Sequence, residues 1–394
     1  MERFDAIVIG GGVIGTSIAC HLARFGAGRV LLLERGSLGS GTSAQSSCIV
    51  RTHYSVPINA ALAHSALSIF EDFPNYLDDA DADCGLNRCG LMLIAPEGER
   101  AEAMRATLAV QRGAGIDARE IGFAEARAIH PLLTFGAGKV IGWEPSAGYA
   151  DAYLTLSAYV RAARKAGATL REGVSVTGLL RDGARVTGVE TTHGSLSAGL
   201  VVSAQNMWSR ELAGWLGIDL PLTLMRHKVV TLEATTPYTN RLPVVMDWAV
   251  PGGIYFRCYG GRQVMVGDTA DGETLVEPDN EQADVPLDHV ADIGEKLARR
   301  MPPFADAGLA ASWTGVYDVT PDWNPVLGPL PGIDGLHVAF GFSGHGFKLS
   351  PMIGRIVAQS ALGEPTDLPI APYSIERFAA GRLLVGSYGA SVVS

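Results

Sequence analysis

Gly10, Gly12 and Gly15 stand in G-x-G-x-x-G spacing directly after the apolar run DAIVI at 5–9. In a strand-to-helix turn the first glycine permits the bend and the second lets the backbone approach a pyrophosphate. The third lets helix and strand pack closely. A helix over about Val13–Phe25 would aim its free N–H groups and positive dipole end at the phosphates. The run VLLLE ends at Glu34, where such a unit needs an acid to accept ribose hydroxyls. That acid argues against a 2′-phosphate, and Arg35 is read as solvated or at the adenosine edge. The glycine spacing alone is weak. Strand, turn, helix, strand and acid in that order predict a bound dinucleotide. A second glycine-rich signal, GFSGHGFK at Gly341–Lys348, lies at the other end of the chain.

The elements that position these residues follow from pattern. LMLIAP, 91–96, reads as a strand, 57–77 as one helix and 97–132 as charged amphipathic helices. Leu154–Ala166 is a helix after GYADAY. Residues 168–191 read as strand, loop and a hairpin about Asp182-Gly183. A buried strand occupies 200–209, a β-rich block 221–270, an amphipathic helix 280–301 and another buried strand 335–342. Ser343–Gly346 then turns into a helix through about Leu362. Nucleotide-type strands thus flank a β-rich block, which predicts a discontinuous division. The first domain takes residues 1–84, 146–214 and 318–394, and a substrate domain takes 85–145 and 215–317.

With 394 residues and a mean hydropathy of +0.18, the chain is expected to be a two-domain soluble enzyme. It has no apolar run long enough to cross a bilayer. Glu2, Arg3 and Asp5 exclude a signal peptide at the start. A net charge of −10 argues against nucleic acid as a bulk partner. The five cysteines (Cys20, Cys48, Cys84, Cys89, Cys258) form no disulfide or metal framework and read as reduced thiols of a cytoplasmic protein.

Together the motifs resemble the FAD-dependent amine oxidases of the D-amino-acid oxidase superfamily, in the sarcosine oxidase, glycine oxidase and dimethylglycine dehydrogenase branch. The resemblance runs through VIGGGVIG with Glu34, CIVRTHY, GYADAY, VVSAQNMWS, GIYFR…VMVGDT and TPDWNPVLGPLPG…GLHVAFGFSGHGFKLSP. It implies an α/β fold: a Rossmann-type FAD-binding domain with an inserted α+β substrate domain containing a mainly antiparallel sheet. It implies cofactor contacts from Gly10, Gly12, Val13, Ile14, Gly15, Glu34, Arg35, Ser40, Gly41, Thr42, Ser46 and Ser47. Further contacts come from Val176, Ala204, Trp208, Gly315, Gly344, His345, Gly346, Phe347 and Lys348. The SGHG turn would present N–H groups and a helix dipole to the negative charge of a reduced flavin. An ordinary cap by Ser343 is the plainer alternative.

The resemblance also implies a substrate carboxylate held by Arg51 of IVRTHY and Lys348 of GHGFK. Arginine offers a bidentate fork for that purpose. Two buried cations would also keep the substrate amine neutral. Tyr317 would close the pocket, with core packing nearly as good a reading, and His345 would abut the flavin or serve structure alone. Tyr255, His53 and His227 are less specific.

The chain departs from the family pattern in places. Gly315 stands where monomeric sarcosine oxidases carry a flavin-linking cysteine, and the GTSAQSS loop lacks the linking histidine of related dehydrogenases. Non-covalent FAD is therefore expected. Ala150 stands at the position of a covalent FMN histidine, which argues against a second flavin. Met265 replaces a lysine that assists oxygen in some members. Asn206 replaces a glycine, and asparagine is the residue that best tolerates the same left-handed backbone.

These readings predict oxidation of a carboxylate-bearing secondary or N-methyl amine, or of an amino acid, with hydride passing to flavin N5 and the imine then hydrolysing. Oxygen or another acceptor would reoxidise the flavin, and a homo- or hetero-oligomer is compatible. One competitor is 2-hydroxy-acid oxidation, which needs a histidine base, His53 or His345. Another is a flavin-carrying beta-type subunit that passes electrons to partner chains. An NAD(P) module without flavin has no use for GFSGHGFK.

Overall fold

A computed structural model describes residues 1–235, 237–238, 241–269, 272–275 and 283–393. The chain opens with β1 (Glu2–Ile9), α1 (Val13–Arg24), β2 (Val30–Leu33) and β3 (Ile49–Val50). Next come α2 (Pro57–Glu71), α3 (Phe73–Leu77), β4 (Leu91–Pro96), α4 (Glu99–Gly113), β5 (Arg119–Ile121) and α5 (Phe123–Ile129). The middle holds β6 (Lys139–Glu144), β7 (Gly148–Tyr149), α6 (Ala152–Lys165), β8 (Thr169–Arg171), β9 (Val176–Asp182), β10 (Arg185–Thr191), β11 (Leu196–Ser203) and α7 (Ser209–Leu216). There follow β12 (Thr223–Glu233), β13 (Val244–Asp247), β14 (Ile254–Tyr259), β15 (Gln263–Asp268), β16 (Glu273–Leu275) and α8 (Leu287–Arg300). The last elements are β17 (Gly308–Val319), β18 (Val326–Pro329), β19 (Leu336–Phe340), α9 (Gly346–Ala361) and α10 (Glu376–Ala379).

Two large sheets carry the architecture. In the first, of eight strands, the path β18-β19-β11-β1-β2-β8 is parallel from β19 to β8. The β9–β10 hairpin joins it antiparallel through β11. β1 and β2 read as near-continuous apolar runs because both faces are covered. Helices α1 and α9 pack together on one face. There the Ser17 hydroxyl donates to the Ser350 carbonyl, and Gly354 leaves no room for a side chain against Ser17. The second sheet, of nine strands, follows β16-β12-β15-β14-β13-β4-β6-β5, with β17 along β12. It is antiparallel except for β13 beside β4. The fold is thus α/β, with a Rossmann-type sheet and a mainly antiparallel partner.

The first sheet draws on residues 2–33, 169–203 and 326–340, the second on 91–144 and 223–319. Four expectations need correction. The helix expected over 57–77 is two, because Asp72 leaves helical geometry just before Phe73-Pro74. Residues 97–132 include the strand β5, which pairs with β6 from Trp143 to Ile141. The strand expected from 200 starts at Leu196, where it meets the hairpin. The helix expected over 280–301 begins at Leu287, and 280–282 lie outside the described residues, as do 236, 239, 240 and 270 of the β-rich block.

Candidate active site

The G-x-G-x-x-G turn joins β1 to α1. A side chain on Gly10 would strike the Ala204 carbonyl oxygen at 2.5 Å, and one on Gly15 would strike the Gly10 carbonyl oxygen at 1.9 Å. The turn therefore closes only on glycine. Ser43 accepts the Val13 N–H at 3.0 Å. Glu34, at the end of β2, accepts the N–H of Gly11 and of Gly36, each at 2.7 Å. These bonds fix the carboxylate beside the glycine turn.

Three cavities share lining residues and so adjoin one another. The first lies over the turn and is lined by Gly10, Gly12, Glu34, Arg35, Gly41, Thr42, Val176, Ala204, Asn206 and Trp208. Arg35 caps this end, paired with Glu211 at 2.7 Å and lying over the Trp208 ring. Asn206 has φ 51°, in the left-handed region that the sequence leads one to expect it to tolerate. The second cavity runs on past Val13, Ile14, Ser46, Ser47 and Gly315 to Tyr317, Gly344, Gly346 and Phe347. The third holds Arg51, Lys348, His227, Tyr255, Asp268, Tyr317, Trp248 and residues 390–393.

The turn before α9 is built from beneath. Asp318 is buried and accepts the N–H of Gly341 at 2.6 Å and of Phe342 at 3.1 Å. Burial raises its carboxyl to about 7, against the pull of those N–H groups. Gly344, at φ +84°, has the Tyr317 ring so close that a Cβ would lie 2.6 Å from it.

The third cavity is electropositive on one side. Arg51 and Lys348 are both buried, and among the described residues no carboxylate pairs with either. Burial, and then the charge of Arg51, lowers the Lys348 ammonium well below its usual value. The Arg51 guanidinium lies over the Tyr54 ring, donates to the His53 carbonyl, and donates to the Val392 carbonyl at 2.6 Å. In the same lining, β12 and β14 set His227 and Tyr255 side by side. Their rings stack, His227 Nε2 meets the Tyr255 hydroxyl at 2.9 Å, and His227 also stacks on Tyr317 with centroids 4.9 Å apart. Burial lowers His227 to about 4.

Most of the residues singled out from sequence line these cavities. Gly15 instead packs beneath the turn, and Ser40 lines none of the three, its N–H lying on the Ser37 carbonyl. His345 is buried outside the linings, with Nε2 on the Trp323 carbonyl at 2.8 Å and its ring against Tyr54. His53 is also outside, held between Gln111 and Tyr388, and burial lowers it to about 3. Sequence reasoning gave no place to Trp248, Asp268, Asp318 or the 390–393 stretch. Only the alternation of β17, which places Asp318 one residue after Tyr317, offered a signal for any of them.

The residues present fit a dinucleotide. The glycine-only turn suits a pyrophosphate, the fixed Glu34 suits a ribose, and the second cavity leads from them to the GFSGHG turn. A fold with this cradle and a cationic third cavity defines a dinucleotide-dependent oxidoreductase. The family model described as "FAD dependent oxidoreductase" matches residues 5–360, and the chain belongs to that family. It is 28% identical to sarcosine oxidase subunit beta of Arthrobacter sp over 406 residues, covering all of this chain and 95% of the other. It is 27% identical to glycine oxidase of Geobacillus kaustophilus over 380 residues, covering 95% and 97%. The solved L-proline dehydrogenase from P. horikoshii superposes with a TM-score of 0.88 at 25% identity, covering 97% of this chain and 99% of that one. The cofactor is FAD, as the nucleotide turn and the family require.

Proposed function

We propose that the chain oxidises the C–N bond of a carboxylate-bearing secondary or N-methyl amine, or of an amino acid. One observation carries this reading: Arg51 and Lys348 are both buried and line one cavity, and among the described residues neither is ion-paired to a carboxylate, Asp268 of the same lining included. An anionic substrate group supplies the missing charge. FAD, when bound in the adjoining cavities, supplies the hydride acceptor. The likeness to a sarcosine oxidase subunit and a glycine oxidase supports the same class.

In this reading Arg51 and Lys348 orient the carboxylate and keep the amine unprotonated, so that its lone pair assists hydride loss. Tyr317, beneath Gly344, holds one side of the cavity. No strong base is required. The GFSGHG turn, held by Asp318, directs its remaining N–H groups and the start of α9 toward the second cavity, where negative charge gathers during reduction. His345 acts in this reading by supporting Trp323 and the turn. Residues 1–84, 146–214 and 318–394 form the FAD-binding unit and 85–145 and 215–317 the substrate unit. Among the described residues no helix is long and apolar enough to cross a membrane. The free thiols of Cys20, Cys48, Cys84, Cys89 and Cys258 support a cytoplasmic location as part of this proposal.

The test is an anaerobic spectrum of the purified yellow protein, titrated with sarcosine, dimethylglycine, proline, iminodiacetate, glycine and 2-hydroxy acids. Bleaching by an N-substituted amino acid is expected. Bleaching by hydroxy acids alone overturns the reading. The likeness to a beta subunit supports a second reading, a flavin-carrying subunit that passes electrons to partner chains. Slow turnover in air with fast turnover on an artificial dye would favour it.

A further inference from the structure

We propose that residues 386–393 form a strap that walls the substrate cavity and sets which substituent the substrate carries. The inference rests on the third cavity being the substrate site.

The strap is pinned along its length. The Leu384 N–H and carbonyl are held by Asp322 and Asn324 at 3.0 and 2.8 Å. Gly386 packs against Ser55 so closely that a Cβ would meet its hydroxyl at 2.2 Å. The Tyr388 hydroxyl meets His53 Nε2 at 2.9 Å, and its ring lies 5.4 Å from that of Trp248. Arg100 sits over both rings. The Val393 carbonyl accepts the Ser55 N–H at 3.0 Å. A stretch without regular structure is held by backbone and aromatic contacts at nearly every second residue.

Two consequences follow. Ala390, Ser391, Val392 and Val393 line the cavity together with Met246 and Trp248, so this part of the lining is largely apolar. The Val392 carbonyl also accepts from Arg51 Nη2, the guanidinium that faces the substrate carboxylate. One bond therefore couples strap position to the orientation of the arginine. A substrate orients by its carboxylate and is sized by Val392. The shape favours a small apolar substituent on nitrogen or on the α-carbon.

The test uses the FAD-loaded protein with Val392→Ala, Val392→Phe and Tyr388→Phe. Two readouts are taken: dissociation constants for acetate and benzoate from perturbation of the flavin spectrum, and the kcat/KM ratio of N-methylglycine to N-butylglycine. Val392→Ala is expected to shift both ratios at least fivefold toward the larger ligand, and Val392→Phe at least fivefold toward the smaller. Tyr388→Phe, which frees the strap from His53, is expected to weaken both carboxylates and narrow the discrimination. Ratios within twofold of the parent in all three variants overturn the proposal. If no N-substituted amino acid is oxidised, the amine reading fails while the carboxylate constants still judge the strap.

Discussion

The carboxylate of Asp318 holds the N–H of Gly341 at 2.6 Å, so a buried acid on the second sheet fixes the turn that opens α9 on the first. Its carboxyl is raised to about 7, above the value of an unfolded aspartate. The folded state therefore retains a proton that the unfolded state releases. Stability from this group is complete below about pH 4, declines as pH rises, and levels off above about 7. Thermal melts should lose that slope in Asp318→Asn. Asp318→Ala should cost about 1–3 kcal/mol for each N–H left without an acceptor. An unchanged pH slope in Asp318→Asn would refute the assignment.

Lys348 titrates in the opposite sense. Its folded value lies well below that of an unfolded lysine, so the unfolded chain binds more protons in between and stability rises with pH there. A bound carboxylate favours the charged form, so binding takes up a proton. Calorimetric titration with acetate in buffers of different ionisation enthalpy should show that uptake, and Lys348→Met should abolish it. In the same variant kcat/KM should fall about a hundredfold, equivalent to about 3 kcal/mol. Uptake that survives the substitution would move the titrating group elsewhere.

The Glu34 carboxylate takes two backbone N–H groups and lines the first cavity, where we propose it meets the ribose. Glu34→Ala should raise the FAD dissociation constant about 10- to 100-fold, which is about 1–3 kcal/mol. Equilibrium dialysis measures this directly. Gly315 lines the second cavity, and the proposed correspondence puts it at the position of a linking cysteine. Acid precipitation should therefore leave all the yellow colour in the supernatant; colour in the pellet would reveal a covalent link.

Of the buried histidines at issue, His227 alone lines the third cavity, the proposed substrate site, and burial keeps it neutral. Neither His53 nor His345 reaches it. If no base abstracts a proton, His227→Asn should lower kcat by less than about tenfold. A base taking a hydroxyl proton would be worth about 10²–10⁴. Rapid-reaction measurement of flavin reduction with an amine separates the two.

Arg377 clasps Asp322 with both partners buried, Nε to Oδ2 at 2.8 Å and Nη2 to Oδ1 at 2.9 Å. Asp322 in turn holds Leu384 at the base of the strap. Arg377→Met leaves that carboxylate buried alone and should cost about 3–5 kcal/mol. Denaturant unfolding of the holoprotein reads the loss.

The nucleotide turn was legible because each glycine there answers a local steric demand, and Glu34 follows from the length of one β-α-β unit. The left-handed Asn206 was legible for the same local reason. The separation of the strands into two sheets followed from the order of patterns along the chain. What stayed hidden was assembled by tertiary contact. Trp248 follows β13 and Asp268 ends β15, both of the second sheet, and the strap arrives from far along the chain. Nothing in AVPGG around Trp248 or GASVV near Val392 marks a cavity wall. The break at Asp72 was missed because Phe73-Pro74 restarts a helix at once, leaving the apolar spacing nearly continuous. His345 shows the converse: its motif is specific, yet packing turns its ring to Trp323.

Ser17 and Ser350 are 333 residues apart in sequence and bonded in the core between α1 and α9. The nucleotide turn at the start of α1 is thus backed by a helix that a ribosome delivers much later. The first strand waits for β11 at Leu196–Ser203 to pair beside it, and β11 waits in turn for β19 at Leu336–Phe340. Contacts of such long range form slowly, because loop closure precedes any reward. Emerging chains should stay colourless, and growth short of flavin should yield a protein slow to mature and prone to degradation.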